Sequence, residues 1–282
     1  MKIFVSQHDD IRIGGLVQAL KSVVPTTFYW SKKDKPLFDL IEEEEPTIIF
    51  YHDGDAADST IEYAQAEYPG IKFVYMQFLP TLSKAKPSLT LAMDPSLVID
   101  GSLPIDYRTN LIEMEGGVKQ GMFTTEVLIL TDQVDARIDF HLLTLRALGY
   151  QFQTKMYGNN KVNLPNYLGR LRKESYRHAL ASARVLVAFD SSRYYDACYH
   201  NCIPLVFKEK KTTELGAYEF SSLSGLLEKC KVAIEAVNPE LSHHASEYTY
   251  HHYLIDIFRL LQEETIVDAL IQYLEQRKVV AS

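Results

Sequence analysis

Short apolar runs alternate with stretches of helical period from the first residues onward. Lys2–Ser6 is dense in apolar residues and reads as a buried strand, and Ile11–Val23 repeats its apolar positions as an amphipathic helix does. The alternation continues with a strand at Thr27–Trp30, a helix at Pro36–Glu44, a strand at Thr47–Tyr51, a helix at Ser59–Glu67 and a strand at Lys72–Phe78. Strands separated by helices require crossover connections, and these produce a parallel sheet covered on both faces. Pro80–Pro95 has turn chemistry and little periodicity, and Leu97–Asp100 reads as one more short strand.

Gly116, Gly117 and Gly121 mark a candidate linker, after which the same grammar starts again. Strands are expected at Glu126–Thr131, Gln151–Tyr157, Val185–Phe189 and Ile203–Phe207. Helices are expected at Ala136–Leu148, Lys173–Ala183, Tyr194–His200, Ser222–Glu228, Tyr248–Glu263 and Thr265–Lys278. The pattern predicts an α/β protein of two Rossmann-like parallel-sheet domains facing a central cleft. The first would span 1–118 and the second 119–262, followed by a final helix, 263–282. The two halves share architecture but no sequence repeat. In such sheets ligands gather at the carboxyl ends of the strands, so the strand-to-helix loops are where chemistry is expected.

Composition narrows this picture. The chain has 282 residues, enough for two ordinary domains, and 46% of them are hydrophobic, as in globular proteins. No apolar run approaches the length of a membrane span, and Met1–Ser6 is too short for a secretion signal, so a cytoplasmic protein without stable membrane insertion is expected. The three cysteines, Cys198, Cys202 and Cys230, are too few and too unevenly spaced for a disulfide framework and read as buried thiols. The net charge of −8 disfavours a protein that coats nucleic acid. Its distribution is uneven: residues 1–120 carry 11 Lys/Arg against 18 Asp/Glu, residues 121–193 carry 10 against 6, and residues 194–282 carry 8 against 13. A locally basic stretch in an acidic chain is expected where an anion binds.

The most informative segment runs from Arg184 to Lys208. A buried strand delivers Asp190, Ser191, Ser192 and Arg193 to its carboxyl end, and a helix carrying Asp196 follows at once. Serines can cap that helix, a guanidinium suits phosphate, and a carboxylate can hold sugar or ribose hydroxyls. A capped helix with a surface arginine would look the same. The segment resembles the donor-binding element of GT-B glycosyltransferases, in particular small bacterial and phage members, which often read S-x-R-x-[FY]-[DE]-A-x-x-x-G-x-x-P-L. Here Ser191, Arg193, Tyr195, Asp196, Ala197, Pro204 and Leu205 match, while Asn201 stands where the family has Gly and Asp196 where Glu is commoner. Asn tolerates a left-handed turn. Tyr157-Gly158 and Tyr167–Leu171 resemble the family's Y-x-G segment, with Arg170, Arg172, Lys173 and Arg177 clustered after it. Thr131-Asp132-Gln133 occupies a loop that touches donor phosphates in the family, and Ser246–Tyr253 resembles its late S-x-Y-T-x-x-x-Y stretch.

The resemblance covers about residues 121–265 and implies transfer of a sugar from a nucleoside diphosphate donor, UDP-sugar first, to an acceptor hydroxyl with no further cofactor. On it, Thr131, Tyr167, Gly169, Arg170, Lys173, Ser191, Ser192, Arg193 and Asp196 bind the donor, and the final helix, 263–282, packs back on the first domain. Arg193→Ala is expected to weaken nucleotide binding with little change in stability. The acceptor is left open among glycans, small molecules and hydroxymethylated pyrimidines of DNA. Two other readings share the fold: a nucleotide-sugar 2-epimerase and a non-catalytic nucleotide-binding module.

The first half offers a base. His8 and Asp9 follow the first strand, where a histidine beside a carboxylate could take the acceptor proton, and Asp53 follows the third strand. N-capping by Asp9 or Asp10 explains that first loop equally well. Asp53-x-Asp55 resembles a metal-binding DxD, but that motif belongs to a different glycosyltransferase fold, so no metal is expected. The pairs His243-His244 and His251-His252 read as surface residues. No P-loop, dinucleotide fingerprint or nucleophile elbow is present.

Overall fold

The computed structural model describes residues 1–80, 85–93, 97–99, 101–108, 114–132, 134, 138–189, 192–207, 219–236, 241 and 249–280. They form two compact units, Met1–Asp106 with Tyr250–Ser282, and Tyr107–Thr249. The divisions fall at 106/107 and 249/250. The expected boundaries were 118/119 and 262/263.

Unit 1 holds a six-stranded parallel sheet of order β2-β1-β3-β4-β5-β6. Its strands are β1 (Ile3–Ser6), β2 (Thr27–Trp30), β3 (Ile48–His52), β4 (Lys72–Gln77), β5 (Leu89–Ala92) and β6 (Ser102–Pro104). Helices α1 (Ile11–Lys21), α2 (Leu37–Glu44) and α3 (Asp58–Glu67) make the crossovers. The central strands are buried almost throughout, which is why they read as unbroken apolar runs. Two elements differ from expectation. Leu89–Ala92 is a strand inside the stretch expected to be only turns. The last strand lies at Ser102–Pro104, because Ser102 closes a turn onto Ile99 through both its amide and its hydroxyl, and the apolar 97–99 stretch is spent entering that turn. Asp100 lies outside the described residues.

Unit 2 holds a five-stranded parallel sheet of order β11-β10-β9-β7-β8. The strands are β7 (Thr125–Leu130), β8 (Thr154–Tyr157), β9 (Ala183–Ala188), β10 (Ile203–Phe207) and β11 (Glu219–Phe220), the last not foreseen. Helices α4 (Asp139–Gln151), α5 (Lys173–Ser182), α6 (Tyr194–Tyr199) and α7 (Leu223–Glu235) cover it. The segment after Asp106 belongs here because it is tied to α5: Arg177 donates to the Glu115 carbonyl at 2.5 Å, and the Val118 amide donates to His178 Nδ1 at 3.1 Å.

The chain ends in α8 (Tyr250–Leu260) and α9 (Glu264–Val280), both within unit 1. Gly15 makes this packing possible. A Cβ there would lie 2.1 Å from the Tyr250 ring, so α1 accepts α8 only where it has no side chain. Lys72 of β4 pairs with Glu263 at 2.6 Å. His251, expected at the surface, is fully buried, facing Ser22 Oγ at 3.1 Å and stacked on Tyr273 at 4.6 Å. His243 and His244 lie outside the described residues. Among the described residues no helix is long and apolar enough to cross a membrane.

Candidate functional site

Among the described residues, the loops after β8, β7 and β9 lie at the carboxyl edge of the unit 2 sheet. After β8, residues 166–169 run beside the strand end, with Met156 bridged to Tyr167 and the Gly158 amide donating to the Gly169 carbonyl at 3.0 Å. Tyr167 donates its hydroxyl to the Gly158 carbonyl at 2.8 Å, so it braces this loop. Gly169, at φ +94, occupies a conformation that a side chain would strain, and it turns the chain so that Arg170 is exposed. After β7, Thr131 is fully buried and donates its hydroxyl proton to the Asn160 carbonyl at 2.8 Å. That proton is spent inside the protein, so Thr131 serves the loop as it stands. Gly158 lets the two loops touch, since a Cβ there would lie 2.5 Å from Thr131 Oγ1 and 2.8 Å from the Asp132 amide. Gln133 lies outside the described residues.

The third loop follows β9. Asp190 and Ser191 lie outside the described residues, whereas Ser192 is half-buried in the turn and Arg193 is the residue before α6. Asp196, in the first turn of α6, is 5% exposed. Its Oδ2 lies 3.4 Å from Arg193 Nη1 and accepts from the Tyr176 hydroxyl at 3.3 Å. The Arg193 guanidinium lies over the Tyr176 ring, 5.1 Å from its centre. A buried carboxylate needs such partners, because desolvating an unpaired charge costs several kcal/mol. Burial and the charge of Asp196 push the Tyr176 phenol well above its usual range, which keeps it a donor. Tyr176 was missed by sequence reasoning. Its signal was an aromatic residue on the basic helix, three positions after Lys173. Lys173 itself opens α5, and Arg172 precedes it, exposed.

Asn201 has φ +55, the left-handed turn expected where the resembling family carries Gly. The Asn201 and Cys202 amides close that turn onto the Cys198 and Ala197 carbonyls, each at 3.0 Å. All three cysteines are buried, and burial pushes the Cys198 and Cys230 thiols up to about 12. Among the described residues no group of three or more His, Cys, Asp or Glu could hold a metal ion.

At the carboxyl edge of unit 1, Asp10 rather than Asp9 caps α1, accepting from the Arg12 amide at 2.8 Å and pairing with its guanidinium at 2.5 Å. Burial raises the Asp10 carboxyl, but the bonds and charge of Arg12 outweigh it and leave the group below its ordinary value. Asp9 is exposed. His8 stacks on Phe78 at 4.0 Å and meets His52 edge-on at 5.0 Å. His8 Nδ1 accepts from the Asp10 amide at 3.1 Å, so the neutral ring carries its proton on Nε2, and its lone pair already has a donor. Asp53 accepts the Tyr75 hydroxyl at 2.5 Å through Oδ1, while its Oδ2 is buried and has no hydrogen-bond partner among the described residues. Asp55 accepts from the His52 amide at 2.8 Å. Asp53 and Asp55 are therefore separately committed to shaping the loop after β3.

Two parallel sheets of these strand orders can be set beside solved structures. The Anabaena protein HepE, solved with UDP-glucose, is 11% identical and matches over 98% of this chain and 100% of its own, with a TM-score of 0.57. The lipopolysaccharide outer core galactosyltransferase WaaB is 9% identical over 92% of this chain and 99% of its own, with a TM-score of 0.53. The fold is GT-B-like. A UDP-GlcNAc 2-epimerase from Methanocaldococcus jannaschii has the same type of fold, at 8% identity, 84% and 93% coverage and a TM-score of 0.51. At these identities the likeness concerns the fold alone, and GT-B-like chains include both transferases and epimerases. No protein-family model matches the chain, and no curated protein matches it in sequence.

Proposed function

We propose that unit 2 binds a nucleoside diphosphate sugar at the carboxyl edge of its sheet, and that the protein transfers the sugar to an acceptor hydroxyl. The observation that carries this reading is the partly exposed Arg193 guanidinium, 30% accessible, held at the end of β9 by Tyr176 and Asp196. It stands in the one basic stretch of an acidic chain. In the reaction the bond from the sugar C1 to the phosphate oxygen breaks and a bond from C1 to the acceptor oxygen forms. The diphosphate leaves with an added negative charge, and a fixed guanidinium stabilises that charge more than it stabilises the bound donor. Arg170 and Lys173 are the further cations of this site, and Ser191 and Ser192 its hydroxyls.

The acceptor proton must go to a base, for which His8, Asp9 and Asp53 of unit 1 are the candidates. Among acceptors, a glycan or small molecule fits the acidic unit 1 better than modified DNA does.

Epimerisation of the same donor is the second reading, favoured by the fold likeness to the Methanocaldococcus jannaschii epimerase. One experiment separates the two. The protein is incubated with UDP-glucose or UDP-GlcNAc, with and without an acceptor panel, and products are followed by chromatography. Release of UDP that depends on acceptor supports transfer. A C2 epimer formed without acceptor supports epimerisation. Failure of every nucleotide sugar and nucleoside diphosphate to bind removes both readings.

A further inference from the structure

Arg193 alone does not explain how a guanidinium at the end of a long, flexible side chain would be ready for a diphosphate. Lys and Arg lose much rotamer freedom when fixed, and a site that fixes the side chain beforehand spares the ligand that cost. The geometry around α5 supplies such a device. Tyr176 is anchored, because its amide donates to the Arg172 carbonyl at 2.9 Å and its ring packs against the unit 2 core. The ring presents a face to Arg193 at 5.1 Å, and the hydroxyl reaches past it to Asp196 Oδ2 at 3.3 Å. Asp196 then faces the same guanidinium at 3.4 Å. The three side chains close a triangle in which each one limits the other two.

We propose that Tyr176 is the positioning residue of the donor site: its ring fixes the plane of the Arg193 guanidinium and its hydroxyl fixes the carboxylate that sets that guanidinium's rotation. This deepens the reading of unit 2 as a nucleoside diphosphate site and rests on it. Tyr176 does not touch the ligand. It acts through Arg193, so its effect follows the phosphate charge rather than the nucleoside. Burial and the charge of Asp196 push the phenol well above its usual range, so its hydroxyl stays a donor to that carboxylate. The triangle also explains why Asp serves at position 196 where the resembling family has the longer Glu. Within this cluster Asp196 reaches Arg193 and the Tyr176 hydroxyl from the first turn of α6, and a longer side chain is not needed.

The test uses calorimetric titration of the full chain with UDP, UMP and uridine. Tyr176→Phe keeps the ring and loses the hydroxyl, and Tyr176→Leu loses both. A cation–ring contact of this kind corresponds to about 2- to 30-fold in affinity. UDP affinity is therefore expected to fall about 10-fold in Tyr176→Leu and a few-fold in Tyr176→Phe, with UMP affected less and uridine unchanged. In the Arg193→Ala background the Tyr176 substitutions should have no further effect on UDP. A UDP affinity that falls in Arg193→Ala but stays unchanged in both Tyr176 variants overturns the positioning role and leaves the site standing. Equal losses for UDP, UMP and uridine overturn it too, because they indicate a general structural defect. If wild-type protein does not bind UDP, or Arg193→Ala binds it as tightly as wild type, the reading of the site itself falls. Tyr176→Phe keeps the test decisive should Tyr176→Leu fail to fold.

Discussion

The two units present the same kind of surface to solvent and furnish it in opposite ways. Each has a parallel sheet whose strands end in loops leading into helices. In unit 1 the loops after β1, β3 and β4 bring together His8, His52 and Phe78 as a packed aromatic cluster, with Asp53 held by Tyr75. In unit 2 the loop after β9 and the start of α5 bring together Arg193, Tyr176 and Asp196. Both edges use a tyrosine hydroxyl to hold a carboxylate. They differ in what the carboxylate faces: in unit 1 Asp53 keeps one oxygen without a hydrogen-bond partner among the described residues, and in unit 2 Asp196 is turned onto an arginine. A carboxylate held by a tyrosine with its other oxygen buried shapes its loop, and one that restrains a guanidinium suits binding an anion. The scaffold thus fixes where chemistry can occur, and a few side chains decide which kind.

The largest expected effect concerns what the units share. Each holds a histidine, fully buried His251 in unit 1 and half-buried His200 in unit 2, with one ring nitrogen buried and without a hydrogen-bond partner among the described residues. Burial pushes both down to about 4, helped at His251 by His252 and at His200 by His178 and Arg177. The unfolded chain takes up these protons near the ordinary value of 6.5 and the folded chain only near 4. Between those values the unfolded state binds more protons, so stability is full above pH 6.5 and falls as pH drops toward 4. The loss is roughly 1.4 kcal/mol per pH unit for each histidine, as an upper bound. Chemical denaturation from pH 7 to pH 4.5 should show it, and His251→Gln and His200→Gln should each flatten the slope by a similar amount. A slope unchanged in one variant would show that its unit does not carry the buried neutral histidine described.

Next is the edge of unit 2. Arg193→Ala should weaken UDP binding about ten- to a hundredfold, the scale of hydrogen bonds to charged groups. Arg193→Lys should recover only part of this, since it keeps charge but loses the planar fork. The contacts of Arg193 give a reason to expect a stability cost as well, beyond the small change expected from the sequence. Arg193 is stacked on Tyr176 and paired with a nearly buried carboxylate, so its removal should also cost about 1 kcal/mol. An unfolding midpoint equal to wild type would mean that the pair does not form in solution.

The corresponding change in unit 1 is Tyr75→Phe, which removes the hydroxyl bonded to Asp53. Burial and that bond raise the Tyr75 phenol far above its usual range, so the proton lost is one that stays in place across the working pH range. Leaving a half-buried carboxylate without its donor should cost about 1–2 kcal/mol of stability. UDP affinity should not change, and any turnover should fall. A fall in UDP affinity here would break the contrast between the two edges.

Much of the fold was legible because buried parallel strands are continuous apolar runs, and Phe73–Met76 or Val185–Ala188 admit no other reading. The strands that were missed are short, and only the second of them lies at a sheet edge. Leu89–Ala92 lies between prolines, and Glu219–Phe220 is two residues long, too short to carry a period. The segment after Asp106 could not be assigned from its glycines, since what binds it to unit 2 is the pairing of Arg177 and His178 with its backbone, contacts sixty residues apart in sequence. At the proposed site, the spacing placed Arg193 just before a helix and Asp196 in its first turn, and their part in donor binding came from the family resemblance. Tyr176 was not legible, because helix α5 reads as a solvated basic helix until its packing against α6 is seen. Thr131 and Tyr167 were placed correctly in loops, but position alone could not reveal that their hydroxyls bond inward.

The smallest effect compares two backbone positions. Glu45 ends α2 in unit 1 with φ +49, and Asn201 follows α6 in unit 2 with φ +55. Both carry a side chain in the left-handed region, where the Cβ crowds the backbone by about 1 kcal/mol for most residues. Asn pays less there than Glu, because its short polar side chain can bond locally. Replacement by Gly removes the crowding but adds freedom to the unfolded chain, and the two changes partly cancel. Glu45→Gly should therefore stabilise unit 1 by about 0.5 kcal/mol, whereas Asn201→Gly should shift unit 2 by no more than a few tenths. Glu45 also belongs to the acidic run Glu42–Glu45, so removing its charge should add to the gain at low salt and not at high salt. Thermal unfolding of both variants at two ionic strengths checks this ordering. A larger gain at Asn201 than at Glu45 would mean that Asn201 is under strain. Its turn would then be held in place by the packing of α6 against the sheet, not by the local preference of Asn.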